Sequence, residues 1–447
     1  MTPSLHVVAA TMPIERSSAD GWRFVADGLV DGVRSLTEQR IGGWIAPARG
    51  PGDRLLRTAP LGSRLAPLVP VEIPEPVALA VAGSRRGPAW PADRSSPSLE
   101  SRAAVEFARL LAHRAARSCA PHDAVWVHGD ALLAVPSILA GLRPGIRVGL
   151  SLDGTLDVGW STPSPIAPLV AAGLGACAVV AVPTAGDADR IRSFVARYGG
   201  TEPPATVVAP TSIDPTRLVP SPSVPGRPGR DRHLGSGHRR LVVALDRSDR
   251  SSGILERLRA YEIALDRSGI DPARVDIVEL TTATGGSTRP PTETVEIERR
   301  MFALNSGRQR TDGSVPVEVR LDPVGRDEAL ALLASAEVAI VTPRRHGDER
   351  VAKEFAILAE ATAGALVLCE RTSVAVELGG DAVLVDGLDP ASIADGVATA
   401  LRATEPDRRR LAARRARTVR GWTARDWART VVSSLSTPLE HATIPLA

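Results

Sequence analysis

Eleven short apolar runs recur along this 447-residue chain with helix-like stretches between them, and that repeat leaves few folds open. In the first half they fall at 5–10, 124–128, 147–152, 178–182 and 206–209. A second series follows at 240–245, 275–280, 317–321, 338–341, 365–368 and 382–385. Runs so uniformly apolar predict strands covered on both faces, and the helical stretches between them predict parallel βα units. Residues 219–240 are rich in Pro, Gly, Ser and Arg without apolar periodicity, which is the composition of a linker. The expectation is two doubly wound α/β domains: an N-terminal one over 1–218, a linker at 219–239 and a C-terminal one over 240–420. Such domains bind ligands beyond the carboxyl ends of their strands, on the walls of a cleft.

Composition narrows the function classes. At 43% hydrophobic and 23% charged residues the chain reads as globular, and 3% aromatics leave the core to Ala, Val, Leu and Ile. A net charge of only +3 is too balanced for nucleic acid, which calls for clustered cations. Cys119, Cys177 and Cys369 lie far apart in apolar surroundings, and the eight histidines show no ligand spacing, so no disulfide, metal or cofactor is expected. Residues 158–186 carry no charge, but their four prolines divide them into a helix near 166–174 and a strand at 178–182. With no basic leader before the apolar residues 7–12, a cytoplasmic protein without membrane contact is expected. The arginine-rich stretch 408–429 reads as a helix packing Leu411, Ala412, Val419 and Trp422 inward, with its arginines toward solvent.

Four segments place polar residues just past a strand. They are AVWVHGDALL at 124–133, GLSLD at 149–153, ALDRSDRSSGILERLRAYE at 244–262 and VAIVTPRRHGDERVAKEF at 338–355. The last contains Lys353, the only lysine in the chain, followed by Glu354.

In that order and spacing the chain resembles the trehalose-6-phosphate synthase family, whose corresponding stretches read HDY, FFLHIPFP, DRLDYTKGIPERLLAFE and VTPLRDGMNLVAKEY. The matching residues are 126–130, 150–155, 246–262 and 341–355. The likeness continues through 365–389 and 427–435, is strong over 240–400, moderate over 120–215, and vague before Trp90.

The resemblance implies a GT-B fold, two Rossmann-like domains facing across a cleft, with the last helix (421–447) returning to the N-terminal domain. It implies metal-independent, retaining transfer of a glucosyl unit from UDP-, GDP- or ADP-glucose to glucose 6-phosphate or a related acceptor, as in trehalose biosynthesis. A homo-oligomer or a paralogous synthase subunit would be the protein partner.

Carried over position by position, Arg247 matches the arginine that meets the donor diphosphate, and Glu354 matches the ribose-binding glutamate. The helix start that meets the phosphates falls at Glu349 and Arg350. Gly21 is what remains of the closing loop's paired glycines; with Trp90 and Asp130 it belongs to the acceptor side. Other positions depart from the pattern. Ser252 stands at the diphosphate-binding lysine, Asp153 at the donor-sugar histidine, His346 at the donor-sugar aspartate and Gly129 at the aspartate of HDY. Asp153 and His346 read as an exchanged pair and join Arg247 as catalytic candidates. Two readings follow: an active glycosyltransferase with a divergent site, or a catalytically silent family member that binds a sugar nucleotide or regulates a partner. A different activity on the same fold, epimerase or phosphorylase, is the remote third.

Overall fold

The computed structural model describes residues 3–17, 21–25, 27–48, 65–84, 99–154, 166–199, 202–218, 239–247, 252–267, 269–282, 291–344 and 350–436. The chain forms two compact units, one of Met1–Asp214 with Trp422–Ala447 and one of Pro215–Gly421. The linker expected at 219–239 lies, apart from Arg239, outside the described residues.

In the first unit the strands are β1 (Leu5–Ala9), β2 (Ile14–Ser17), β3 (Gly21–Phe24), β4 (Ile41–Pro47), β5 (Leu68–Val71), β6 (Ala124–His128), β7 (Arg147–Ser151), β8 (Val179–Val182) and β9 (Ala205–Val208). Seven of them form a sheet in the order β5-β4-β1-β6-β7-β8-β9, every pairing parallel, while β2 and β3 make a separate antiparallel hairpin. Neighbouring side chains in a strand point to opposite faces, so each strand feeds two cores. Val125, Val127, Val180 and Val182 enter one; Trp126, Val179 and Ala181 enter the other. Helix Leu99–Ser118 covers the first face through Phe107, Ala108, Leu111 and Ala115.

The second face is closed by the last helix, Ala424–Ser436, whose Trp427, Ala428, Val431 and Leu435 fall on one stripe. Trp427 is fully buried, with its ring 5.2 Å from that of Trp126. Aromatic pairs of this kind add roughly 0.5–1.5 kcal/mol to the area they bury.

The second unit contains β10 (Arg240–Arg247), β11 (Val275–Thr282), β12 (Val317–Arg320), β13 (Val338–Val341), β14 (Ala365–Cys369) and β15 (Val383–Val385). They form one parallel sheet in the order β12-β11-β10-β13-β14-β15. Val242, Ala244, Ile277, Val338, Ile340 and Val367 face a core shared with helix Ile254–Arg267.

All eleven predicted runs contain a strand. Not anticipated were β4, β5 and the hairpin. β4 is broken up by Gly42 and Gly43, and a Cβ at Gly42 would come within 2.5 Å of the His6 ring. β5 contains Pro70 and takes the edge position that proline tolerates.

The arginine helix, Glu405–Gly421, differs from the expectation. Arg415 turns inward, 1% exposed, and donates to the carbonyls of Asp381 and Gly364. Burial pulls its pKa down to about 10, against the pull of nearby Asp381. Arg408 pairs with Glu337, Arg414 with Asp381 at 2.9 Å and Arg420 with Glu360 at 2.5 Å. Much of the cationic face is thus tied to carboxylates of its own unit. No helix among the described residues is long and apolar enough to cross a membrane.

Candidate functional site

In the second sheet the chain runs outward from β10 to β11 and β12, then returns to place β13 on the other side of β10. A crevice opens at such a switch point, beyond the strand carboxyl ends. Asp246, Arg247 and Thr342 stand there.

The crevice is fastened from below by Arg257, which is wholly buried. Its Nε and Nη2 donate to Glu279 at 2.7 and 2.9 Å, and Nη1 and Nη2 reach Asp246 Oδ2 at 3.2 Å. Nη1 also donates to the carbonyls of Ser252 at 2.7 Å and Thr342 at 3.3 Å. One guanidinium therefore joins β10, β11, β13 and the turn that opens helix Ile254–Arg267. Burial opposes its charge, but Glu279 and Asp246 outweigh this and hold its pKa above the ordinary arginine value. Tyr261 donates to Glu279 Oε1 at 2.5 Å, and burial together with that carboxylate pushes the phenol well above its usual range.

The turn itself requires glycine. Gly253 has φ +70°, and a Cβ there would lie 2.5 Å from the Thr342 carbonyl oxygen. Ser252, beside it, is 1% exposed.

On the β13 side, helix Arg350–Leu358 brings up Glu354, whose carboxylate is fully buried. Arg326 donates to its two oxygens at 2.9 and 2.6 Å, and Arg350 Nε donates to Oε1. Burial raises the Glu354 pKa, but Arg350 and Arg326 outweigh it and the carboxyl stays below its ordinary value. Lys353, one position earlier, is buried and bonded to Glu377 at 2.8 Å. It forms a buried ion pair and is not a surface lysine. Arg344 is exposed, with Nε 3.5 Å from Glu256.

The first sheet has its own switch point between β1 and β6. His128 ends β6, with Nε2 3.0 Å from Asp153 Oδ2 and Nδ1 2.7 Å from Ser151 Oγ. Trp126 Nε1 donates to the same serine at 2.8 Å, and Thr211 donates to Asp153 Oδ1 at 2.8 Å. His128 is thus held through both ring nitrogens, with Ser151 at Nδ1 and the Asp153 carboxylate at Nε2. Burial pushes the Asp153 carboxyl up, yet His128 and Thr211 together hold it below the ordinary aspartate value.

The sequence-derived residues are therefore placed unevenly. Arg350 and Glu354 come together, and the backbone of Arg247 ends β10, paired with Thr282. Asp153 finds a partner, but the described one is His128; His346, Glu349 and Trp90 lie outside the described residues. Asp130 is exposed at the start of the single turn Asp130–Leu132, and Gly21 pairs with Ser17 in the hairpin.

Arg257, Glu279, Tyr261, Arg326, Ser151 and Thr211 were not singled out from sequence. The usable signal was Glu279, with Asp276, inside a largely apolar strand, since a buried acid demands a partner. Among the described residues no group of three or more His, Cys, Asp or Glu is arranged to hold a metal ion. The three cysteines are free and buried; burial pushes the Cys119 thiol up to about 12.

Two Rossmann-like parallel sheets, each with polar side chains gathered at its switch point, define the GT-B class of glycosyltransferase fold. The family model of Glycosyltransferase family 20 matches residues 200–437, more than half of the chain, and the protein belongs to that family. It is similar to the trehalose-6-phosphate synthase of Mycolicibacterium gilvum, at 29% identity over 96% of this chain and 93% of the relative. The synthase of Mycolicibacterium smegmatis is 27% identical over 97% and 93%.

Among solved structures, the N-terminal domain of Candida albicans trehalose-6-phosphate phosphatase superimposes with TM-score 0.82 and 19% identity, over 98% of this chain and 97% of that one. An alpha,alpha-trehalose-phosphate synthase (UDP-forming) from Burkholderia xenovorans, in complex with glucose-6-phosphate, gives 0.79 and 18% over 97% and 100%. At these identities the structural likeness concerns the fold.

Proposed function

We propose that the chain is a trehalose-6-phosphate-synthase-like glycosyltransferase with a divergent site, moving a glucosyl unit from a nucleotide sugar to glucose 6-phosphate or a close analogue. The observation that carries this reading is Glu354. A buried carboxylate on the helix that follows β13, held ionised by Arg326 and Arg350, keeps acceptor capacity suited to ribose hydroxyls. Its helix, Arg350–Leu358, follows β13 in the chain, and the N-terminus of a helix is a usual seat for a diphosphate. In the transfer, negative charge builds on the departing diphosphate, and Arg247 with that helix start would stabilise it. The relatives at 27–29% identity, matched almost end to end, support the same substrate class.

The divergence has a stated cost. Ser252 stands where the family has its diphosphate lysine, and losing one preorganised donor slows such a step by about 10²–10³-fold. That serine is buried and its carbonyl is held by Arg257, which favours a second reading: a silent family member that binds a sugar nucleotide without turning it over. A thermal-shift panel with UDP-, GDP- and ADP-glucose, followed by single-turnover assay with glucose 6-phosphate, separates the two. Binding with disaccharide formation is expected. Binding without product selects the silent reading, and absence of binding to all three donors refutes both. Gain of turnover in Ser252→Lys identifies the missing cation as the limit.

A further inference from the structure

Helix Pro291–Asn305 of the second unit carries apolar side chains on two opposite sides. Ile297 and Leu304, both buried, hold it to the core shared by β11 and helix Ile254–Arg267. Val295 and Phe302 point the other way and are 60% and 78% exposed. With Arg299 and Ser306 they make one stripe at helical spacing, flanked by exposed Thr292, Glu298 and Ala303. The chain has only five phenylalanines, and Phe302 is the one left exposed; Phe107, Phe194 and Phe355 are buried and Phe24 is half-buried. One surface valine needs no account, but a valine and a phenylalanine on a shared stripe form a patch that calls for a cover.

The charges beside the patch favour a particular cover. Arg299 donates to its own Glu296 through Nε at 3.1 Å, while Glu298 is exposed and has no partner among the described residues. A second copy of the helix can lie antiparallel across a two-fold axis that passes between Glu298 and Arg299. Val295 then meets Phe302 of the second copy, Glu298 meets its Arg299, and the symmetry repeats both contacts. A register centred on Arg299 would instead set the two guanidiniums against each other, so charge selects the first. The stripe is thus its own complement in apolar contact and in charge, as an isologous dimer requires and a different partner does not. One helix face from each copy covers less than the roughly 1,600 Å² of a standard interface, which makes the association weak, with Kd on the order of 10–100 µM.

We infer that the outer face of helix Pro291–Asn305 is the contact between two copies of this chain, with Phe302 as its anchor and the Glu298–Arg299 pairs fixing its register. The inference holds whether or not the chain transfers a glycosyl unit.

The direct test is sedimentation velocity of the full chain over a range of roughly 1–300 µM, which brackets that affinity. A reversible monomer–dimer equilibrium is expected. Phe302→Ser should weaken it about ten-fold or more, as loss of an aromatic anchor does, and should melt like the parent because the side chain is mostly exposed in the single copy. Glu298→Arg and Arg299→Glu should each weaken the dimer by setting like charges across the axis. The double swap should restore it to within about three-fold of the parent. The inference is overturned by a monomer at every concentration, which would leave the stripe to a different protein. It is equally overturned by a dimer that Phe302→Ser leaves unchanged, or by a double swap that binds no tighter than the single variants.

Discussion

The buried pair of Arg257 and Glu279 should act as the fastening of the second unit's crevice, and its energetics can be worked out in advance. Glu279→Leu removes two bonds of 2.7 and 2.9 Å from a fully buried guanidinium and leaves that charge with Asp246 and two carbonyls alone. Breaking one side of a buried ion pair costs about 3–5 kcal/mol. For a unit of this size each kcal/mol is worth roughly 2–4 °C, so a fall of about 6–20 °C in the second unit's melting temperature is expected. Arg257→Met should cost a similar amount by stranding Glu279. The double variant should not cost the sum, because two apolar side chains replace a pair whose desolvation was itself unfavourable; a coupling of about 2–3 kcal/mol is expected.

The readout can be localised. All seven tryptophans lie outside residues 215–421, so tryptophan fluorescence follows the first unit, while far-UV circular dichroism and calorimetry follow both. The loss should therefore be larger by circular dichroism than by fluorescence. Single variants costing under about 1 kcal/mol, or costs that add in the double variant, would refute the reasoning.

Three further outcomes are expected. Glu354 and Asp153 have folded pKa values below their unfolded ones, so the stability they contribute is complete above the unfolded values and is lost as pH falls through the folded ones. Glu354→Gln should accordingly flatten the decline of melting temperature on acidification below about pH 4.5, measured against the parent. Gly253→Ala should cost roughly 1–3 kcal/mol from its left-handed φ, more from the clash with Thr342, and reduce the thermal shift produced by nucleotide sugars. Lys353, 4% exposed and bonded to Glu377, should resist amine acetylation in the native state and react fully in denaturant, read by peptide mass.

The sheets were legible because a strand buried on both faces must be apolar throughout, and such runs stand out between helices. β4 and β5 did not stand out because what specifies them is contact rather than composition. Gly42 makes room for His6, and Pro70 is acceptable only because β5 is an edge. In the candidate site, the helix carrying Arg350 and Glu354 was readable from its motif. Its restraint by Arg326 was not, since that arginine arrives from a different helix, Arg326–Ser335, 28 residues earlier. Asp153 was expected opposite His346, yet its described partner, His128, ends a neighbouring strand, a relation that depends on strand order and is invisible to spacing.

The position of Trp427 also sets an order of events during synthesis. Residues 215–421 are contiguous and can condense as soon as they emerge, whereas the first unit lacks the helix that seals Trp126, Val179 and Ala181 until Ala424–Ser436 has followed them. A nascent chain stalled before that helix presents an unfinished apolar face to the cytosol or to whatever compartment surrounds it. Removing Ala424–Ser436 should therefore harm the beginning of the protein first.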